Sequence, residues 1–297
     1  MDSVIERQAG WQDYLELCKP KVVALILLTV VVGMFLSVPG MVPIDILIIG
    51  TLGIGMASGA AAVVNHVVDA QIDQKMARTL NRPVAKGVVE PVKALIFAGV
   101  LAVLSMVMLT VWVNSLTAIL TFFGLVGYAF VYTMYLKRAT PQNIVIGGLS
   151  GAIPPLLGWT AVTGHTGVIH PNAYLLVLII FVWTPPHFWA LAIHRRDDYA
   201  KADIPMLPVT HGIEFTKTNI IFYTILLIMA TTLPYLTGMF GLIYLMGSLT
   251  LGGIFLYYAA LLKWGKQKNM AMKTFGYSVV YLMVLFVVML VDHYFYI

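Results

Sequence analysis

Residues 94–138 read ALIFAGVLAVLSMVMLTVWVNSLTAILTFFGLVGYAFVYTMYLKR. Two apolar runs, roughly 94–113 and 116–136, are parted only by Asn114-Ser115, and the second ends in Lys137-Arg138. At 1.5 Å per residue an α-helix needs ~20 apolar residues to cross the hydrocarbon of a bilayer, and each run meets that length. A helix pairs its backbone groups within the segment, so it is the natural spanning form here. The apolar-polar alternation of a membrane barrel is absent.

The same pattern extends in both directions. Further apolar stretches run at roughly 22–42, 44–66, 144–163, 174–193, 219–237, 242–262 and 275–291. Between them stand Ser37-Val38-Pro39-Gly40, Thr163-Gly164-His165-Thr166-Gly167 and Thr237-Gly238, all turn chemistry. The chain of 297 residues is 60% hydrophobic and 10% charged, against ~25% charged for a soluble domain, so a water-facing globule is excluded. A single domain over 1–297 is expected: all-α, polytopic, with nine transmembrane helices. Cys18 is the lone cysteine, which excludes an internal disulfide and a cysteine-rich metal site. The polar, mixed-charge first 20 residues do not read as a cleavable signal peptide.

All 18 basic residues fall on one side of this nine-span scheme. Arg7, Lys19 and Lys21 precede the first span; Lys75, Arg78, Arg82, Lys86 and Lys93 lie between the second and third. Lys137 and Arg138 follow the fourth, Arg195, Arg196, Lys201 and Lys217 the sixth, and Lys263, Lys266, Lys268 and Lys273 the eighth. The positive-inside rule makes that side cytoplasmic, with the N-terminus inside and the C-terminus external. A missed span would scramble the segregation. The net charge of +5 therefore belongs to membrane loops and gives no reason to expect nucleic acid. Val4 to Leu17, with Trp11, Tyr14 and Leu15, reads as an amphipathic helix in the inner interface, within an interfacial segment 1–20 that Pro20 breaks from the first span. Lys19-Pro20-Lys21 before span one and Lys137-Arg138-Ala139-Thr140-Pro141 before span five point to parallel repeats of four spans.

Chemistry concentrates in two cytoplasmic loops, 69–93 and 195–217. Asn65, Asp69 and Asp73 are spaced i, i+4, i+8, which puts three oxygen-bearing side chains on one helical face. Two carboxylates a turn apart repel unless a cation lies between them, and hard oxygen ligands suit Mg²⁺ with substrate phosphates. Arg78 and Arg82 follow, and guanidinium groups bind phosphate bidentately. The pattern reads as a site for a Mg²⁺-bound diphosphate; the plain alternative is a solvated helix end whose acids pair with nearby bases. Arg195-Arg196-Asp197-Asp198-Tyr199, with Lys201 and Asp203, forms a second cluster after span six that could hold a second Mg²⁺. Spacing leaves open which of Asp197, Asp198 and Asp203 would face it.

His187 falls within span six, where a titratable imidazole marks a functional position by default. It reads equally as a metal-ligating or ligand-pocket residue, or as a side chain satisfying carbonyls freed by Pro185 and Pro186. His66 and His194 are weaker candidates nearer the surface. Trp183, Phe188, Trp189, Tyr128, Tyr132 and Tyr135 either offer electron-rich ring faces to a cation or pack as membrane aromatics usually do.

These residues resemble the UbiA-type intramembrane prenyltransferases over nearly the whole chain. The resemblance implies nine helices and two aspartate-rich loops that bind a prenyl diphosphate through Mg²⁺. Position 66 is His where many members carry Asp, which removes one carboxylate and leaves Asp69 and Asp73. Four stretches are similar to the haem-farnesylating branch of that family: Leu17-Cys18-Lys19-Pro20-Lys21, Asn143 to Gly148, Gly151 to Trp159, and Trp183 to Ile193 continuing through Tyr199 to Val209. That likeness implies transfer of a farnesyl group from farnesyl diphosphate to a vinyl group of haem b, giving haem O. Catalysis would fall to Asn65, Asp69, Asp73, Arg78, Arg82, Asp197 and Asp198, with Asp69, Asp73, Asp197, Asp198 and Asp203 as metal ligands. Lys19, Lys21, Lys137, Arg138, His187, Arg195, Arg196, Tyr199 and Lys201 would bind substrate. The implied setting is the bacterial inner membrane with a cytoplasmic active face, and contact with a haem A synthase or terminal oxidase assembly. A relative that prenylates a quinone precursor, and a non-catalytic haem carrier or transporter, are the competing readings. Transporters tend to place coupling charges near the midplane, whereas these acids cluster at one surface.

Overall fold

The computed structural model describes residues 9–76 and 79–296. Its helices are α1 (Trp11–Leu17), α2 (Pro20–Leu36), α3 (Ile44–Val68), α4 (Ala70–Asp73), α5 (Pro91–Trp112) and α6 (Ser115–Val126). A π-helix over Gly127–Leu136 and the short α7 (Lys137–Ala139) continue α6. Then come α8 (Asn143–Ala152), α9 (Pro154–Thr163), α10 (Pro171–His194), α11 (Arg196–Lys201), α12 (Leu207–Thr210), α13 (Ile213–Leu236), α14 (Leu242–Trp264) and α15 (Met270–Tyr296). Eight of the resulting segments are long and apolar enough to cross a membrane among the described residues, and nine if α1 and α2, bent by 53°, count as one. The expected all-α polytopic architecture is what forms.

Several boundaries follow from local chemistry. Proline opens α2, α5, α9, α10 and nearly α12, where its missing N–H costs nothing. Helix α2 ends at Leu36 and not at the expected 42: Ser37 turns its hydroxyl back onto Met34 O at 2.7 Å, and Pro39-Gly40 prevent continuation. Span five is split into α8 and α9 where Pro154-Pro155 interrupt the ladder. Asn114 accepts from Thr117 N at 2.8 Å and caps α6, so the Asn-Ser break is a tight turn between antiparallel spans.

The apolar core threads through α2, α9, α10, α13, α14 and α15, with Leu176, Ile179, Phe240, Tyr244, Phe255, Tyr281 and Phe286 buried. Packing runs α3 on α5, α8 on α10, α10 on α13, α13 on α14 and α14 on α15, and α15 returns against α2. Helices α2 and α9 cross with almost no side chain between them. A Cβ on Gly33 would meet the carbonyl of Pro155, and one on Gly158 would meet the carbonyl of Val30. Small residues permit such backbone contact inside a membrane, where packing and not hydrophobicity holds helices together. On the side away from the charged loops, Asp292 is buried and accepts Gly241 N at 2.6 Å and Tyr244 N at 2.8 Å. It therefore caps the N-terminus of α14 from α15, where a negative charge suits the helix dipole.

Residues 4–8 of the expected amphipathic helix lie outside the described residues; the rest is α1. Trp11 and Leu15 are exposed, Leu17 is buried, and Tyr14 meets Phe97 edge-on at 5.2 Å.

Candidate active site

The site begins at the bend before α2. Pro20 disfavours right-handed helix for the residue preceding it, and Lys19 takes φ +52°, ψ +60°. That break turns the Lys19 ammonium onto Asn65 Oδ1 of α3 at 2.6 Å. Asn65 donates its amide to Asp69 Oδ2 at 2.8 Å and to Thr133 Oγ1 at 3.3 Å. Lys137 closes on the same Asp69 Oδ2 at 2.5 Å. The expected i, i+4, i+8 helix is interrupted at Asp69, where α3 ends and α4 starts, but Asp73 N still reaches Asp69 O at 2.8 Å and the three side chains stay together.

Asp73 pairs with Arg82 Nη1 at 2.6 Å. The loop that delivers Arg82 is tied down by Thr79 Oγ1 to Asp73 O at 3.1 Å and by Gln74 Nε2 to Ala85 O at 2.9 Å. Arg138 donates to Val68 O at 3.1 Å, a cation on the C-terminal carbonyls of α3. Thus each carboxylate is paired with its own basic side chain, Asp69 with Lys137 and Asp73 with Arg82. Lys19, Arg82 and Lys137 are three basic side chains around two buried acids, an arrangement suited to a polyanion. Burial, and next the neighbouring Arg82, push the Lys19 ammonium down to about 7. An arriving anion would restore its charge.

Among the described residues, two buried groups of this network lack partners: Asp69 Oδ1 accepts no hydrogen bond, and neither ring nitrogen of His66 is paired. A buried carboxylate oxygen with no donor costs roughly 1–3 kcal/mol or more, so such an atom calls for a partner. Carboxylate oxygens and an amide are the hard donor set of Mg²⁺, which takes one or two carboxylates and completes its shell with phosphate and water. Asp69 and Asp73 fit that role; no group of three His, Cys, Asp or Glu side chains able to hold a metal unaided occurs among the described residues.

The second loop is more open. In α11, Arg196 Nη1 faces Asp197 and Arg195 Nη1 faces Asp198, each at 3.5 Å. Asp197 has 86% of its side chain exposed against 22% for Asp198, so Asp198 is the acid turned inward. Asp203 and Lys201 are exposed, and Arg196 Nε is held by Pro208 O at 3.2 Å. Lys21 is likewise exposed and outside the network, and Arg78 lies outside the described residues. Of the three expected tyrosines, Tyr135 faces outward, while Tyr128 and Tyr132 turn inward with ring centroids 5.5 Å apart.

The π-helix was not legible in the sequence. Its wider turn lets Thr133 Oγ1 donate to Tyr128 O, five residues back, at 2.8 Å while accepting from Asn65. Tyr132 lies flat where Gly147 offers no side chain; a Cβ there would strike the ring. His187 does not satisfy carbonyls freed by the prolines. Its Nδ1 meets Ser278 Oγ of α15 at 2.6 Å. Its ring stacks between Trp183 at 4.2 Å and Phe275 at 4.6 Å.

A bundle of membrane helices with acids, an asparagine and a ring of bases gathered at one end defines a site for a charged head group on an apolar tail. The chain belongs to the UbiA prenyltransferase family, whose model matches residues 26–290. Within it, the chain is similar to the protoheme IX farnesyltransferase of Saccharophagus degradans, 64% identical over 96% of this chain and 93% of that protein. It is similar also to the protoheme IX farnesyltransferase of Alcanivorax borkumensis, 60% identical over 98% of this chain and 95% of that one. Among solved structures, a digeranylgeranylglyceryl phosphate synthase shares the fold with a TM-score of 0.78 at 20% identity, covering 95% of this chain and 98% of that one. A UbiA homologue from Archaeoglobus fulgidus bound to GPP and Mg²⁺ gives 0.62 at 15% identity, covering 93% and 99%. These two likenesses are of fold.

Proposed function

We propose that this chain transfers the farnesyl group of farnesyl diphosphate to a vinyl group of haem b, releasing diphosphate and forming haem O. The observation that carries the reading is the buried Asn65–Asp69–Lys137 and Asp73–Arg82 network with Lys19 as a third basic side chain. The acceptor assignment is supported by 60–64% identity, over nearly the full length, to proteins named protoheme IX farnesyltransferase.

The steps follow from the side chains. Lys19, Arg82 and Lys137 bind the diphosphate oxygens, and Lys137 leaves Asp69 to do so. Mg²⁺, held by Asp69, Asp73 and on the second loop Asp198, would neutralise charge as the C1–O bond breaks. Tyr128 and Tyr132 present ring faces to the allylic cation. The terminal vinyl carbon forms a bond to farnesyl C1, water adds to the carbon left positive beside the macrocycle, and one proton is lost. The 69–93 and 195–217 loops, and with them the N-terminus, lie on the cytoplasmic face of the inner membrane in this proposal, supported by the one-sided placement of the 18 basic residues. The added farnesyl chain anchors the amphiphilic product in the bilayer, which favours hand-over to a membrane partner such as a haem A synthase or an oxidase assembly.

The test is incubation of purified protein with haem b, farnesyl diphosphate and Mg²⁺, followed by mass identification of the product. Farnesylated, hydrated haem that disappears with chelator is expected. Prenylated 4-hydroxybenzoate in place of modified haem, from a mixture of both acceptors, would sink the reading.

A further inference from the structure

Ser278 is fully buried in α15, eight residues beyond its start at Met270, and about 12 Å deep at 1.5 Å per residue. Its Oγ lies 2.6 Å from the carbonyl oxygen of Phe275 and 2.6 Å from Nδ1 of His187. A serine hydroxyl has one hydrogen, and a carbonyl can only accept. The hydrogen must therefore point at Phe275 O, and the contact to His187 is then a hydrogen bond that Nδ1–H donates to Ser278. A neutral imidazole with its proton on Nδ1 carries its lone pair on Nε2.

The ring cannot easily turn away from this arrangement. Trp183 and Phe275 stack on its two faces and Phe188 meets it edge-on at 4.8 Å. Trp183 is itself pinned, with Nε1 donating to the Ser278 carbonyl at 2.9 Å. Nε2 has no hydrogen-bond partner among the described residues, yet it is not among the nitrogens sealed away from solvent, unlike both nitrogens of His66. Metal-binding histidines are built in this way: one nitrogen donates to a second group, and the other is left aimed at the metal.

We propose that Ser278 is a positioning residue that holds His187 in the Nδ1–H tautomer so that Nε2 binds the iron of the acceptor haem as an axial ligand. This rests on the reading that haem is the acceptor. A neutral imidazole flanked by aromatic rings and lacking a carboxylate partner is a better ligand than proton acceptor, which separates this role from that of a base for the added water. Ligation fixes the macrocycle's plane and centre relative to α10, so one edge of the porphyrin is held for attack.

The experiment compares haem binding by the purified full chain with binding by His187→Ala, Ser278→Ala and Ser278→Thr. Wild type is expected to shift the haem Soret band and to show an iron–histidine stretch in the ferrous resonance Raman spectrum. His187→Ala is expected to lose both, with the shift restored by free imidazole. Ser278→Ala should weaken haem binding roughly 10-fold, the size seen when a ligand's supporting partner is removed. Ser278→Thr should restore it, while affinity for metal-free protoporphyrin and for farnesyl diphosphate stays at the wild-type value. Equal losses for haem and metal-free protoporphyrin would mean pocket shape alone and overturn the proposal. So would a wild-type complex without the iron–histidine stretch, a measurement that needs no variant to fold. If wild type makes farnesylated haem while these signatures fail, only the ligand assignment falls; if it makes none, the acceptor reading falls with it.

Discussion

Replacing Asp69 by Asn changes one oxygen to an amide and leaves volume nearly untouched. In the structure Asp69 Oδ2 receives Asn65 Nδ2 at 2.8 Å and Lys137 Nζ at 2.5 Å, and Oδ1 receives no donor among the described residues. An asparagine oxygen still accepts from Lys137, whose side chain keeps 14% exposure and can reach water. The change from charged to neutral acceptor should cost about 1 kcal/mol of stability, so the protein inserts and purifies. Catalysis loses much more. On the proposed function Asp69 would hold the Mg²⁺ that counters negative charge as the diphosphate departs, and removing one such contact typically costs 10²–10³-fold, or ~2.7–4 kcal/mol. The assay is single-turnover farnesyl transfer at saturating Mg²⁺, beside the melting temperature in detergent. Asp45→Asn, an exposed acid at the opposite end of α3, is the control and should turn over at the wild-type rate. An Asp69→Asn variant that keeps a tenth or more of the wild-type rate would make Asp69 a structural helix end paired with Lys137, and the metal assignment wrong.

Asp292→Ala strips two charge-assisted bonds from the start of α14, so a loss of about 3 kcal/mol and a melting temperature lower by roughly 5–10 °C are expected, with activity per folded molecule unchanged. Thr133→Val removes the hydroxyl that Asn65 leans on and that spans the π-turn; kcat should fall about 3–10-fold while binding of metal-free protoporphyrin is unaffected, and an unchanged kcat would detach the π-helix from the site. Reporters fused after Lys86, Lys201 and Lys268 should read cytoplasmic and those at Gly164 and Gly238 external; an external signal after Lys201 contradicts the shared active face.

The spans were legible because a bilayer imposes a length rule that any 20-residue apolar run either meets or fails. The first acidic site was legible for a similar reason: Asn65, Asp69 and Asp73 are close along one helix, so spacing alone brings them together. What spacing cannot supply is a partner from elsewhere in the chain. Lys137 comes from 68 residues away and Ser278 from 91 residues beyond His187, and no local pattern marks either meeting. Asp292 carries no local mark of its capping role, which depends on where α14 begins. The π-turn was hidden for another reason. Widening a helix by one residue per turn changes hydrogen bonding without changing which residues are apolar, so Gly127–Leu136 reads as ordinary span. In the second loop, Asp197 and Asp198 are adjacent, so side-chain direction separates them and composition does not.

The crossing of α2 and α9 bears on how the molecule is made. Gly33 lies against Pro155 and Gly158 against Val30, so the first span meets the second half of the fifth, backbone to backbone. During synthesis more than 120 residues must emerge after Gly33 before Gly158 exists. Through that interval α2 sits in lipid without its principal partner, and its backbone polar groups must be satisfied within the helix itself. Its 17 residues, almost wholly apolar, meet that requirement alone. The two glycines are therefore a late-closing seam, joined after insertion is well advanced. A methyl group at either one would leave each span able to insert but keep the two halves from docking.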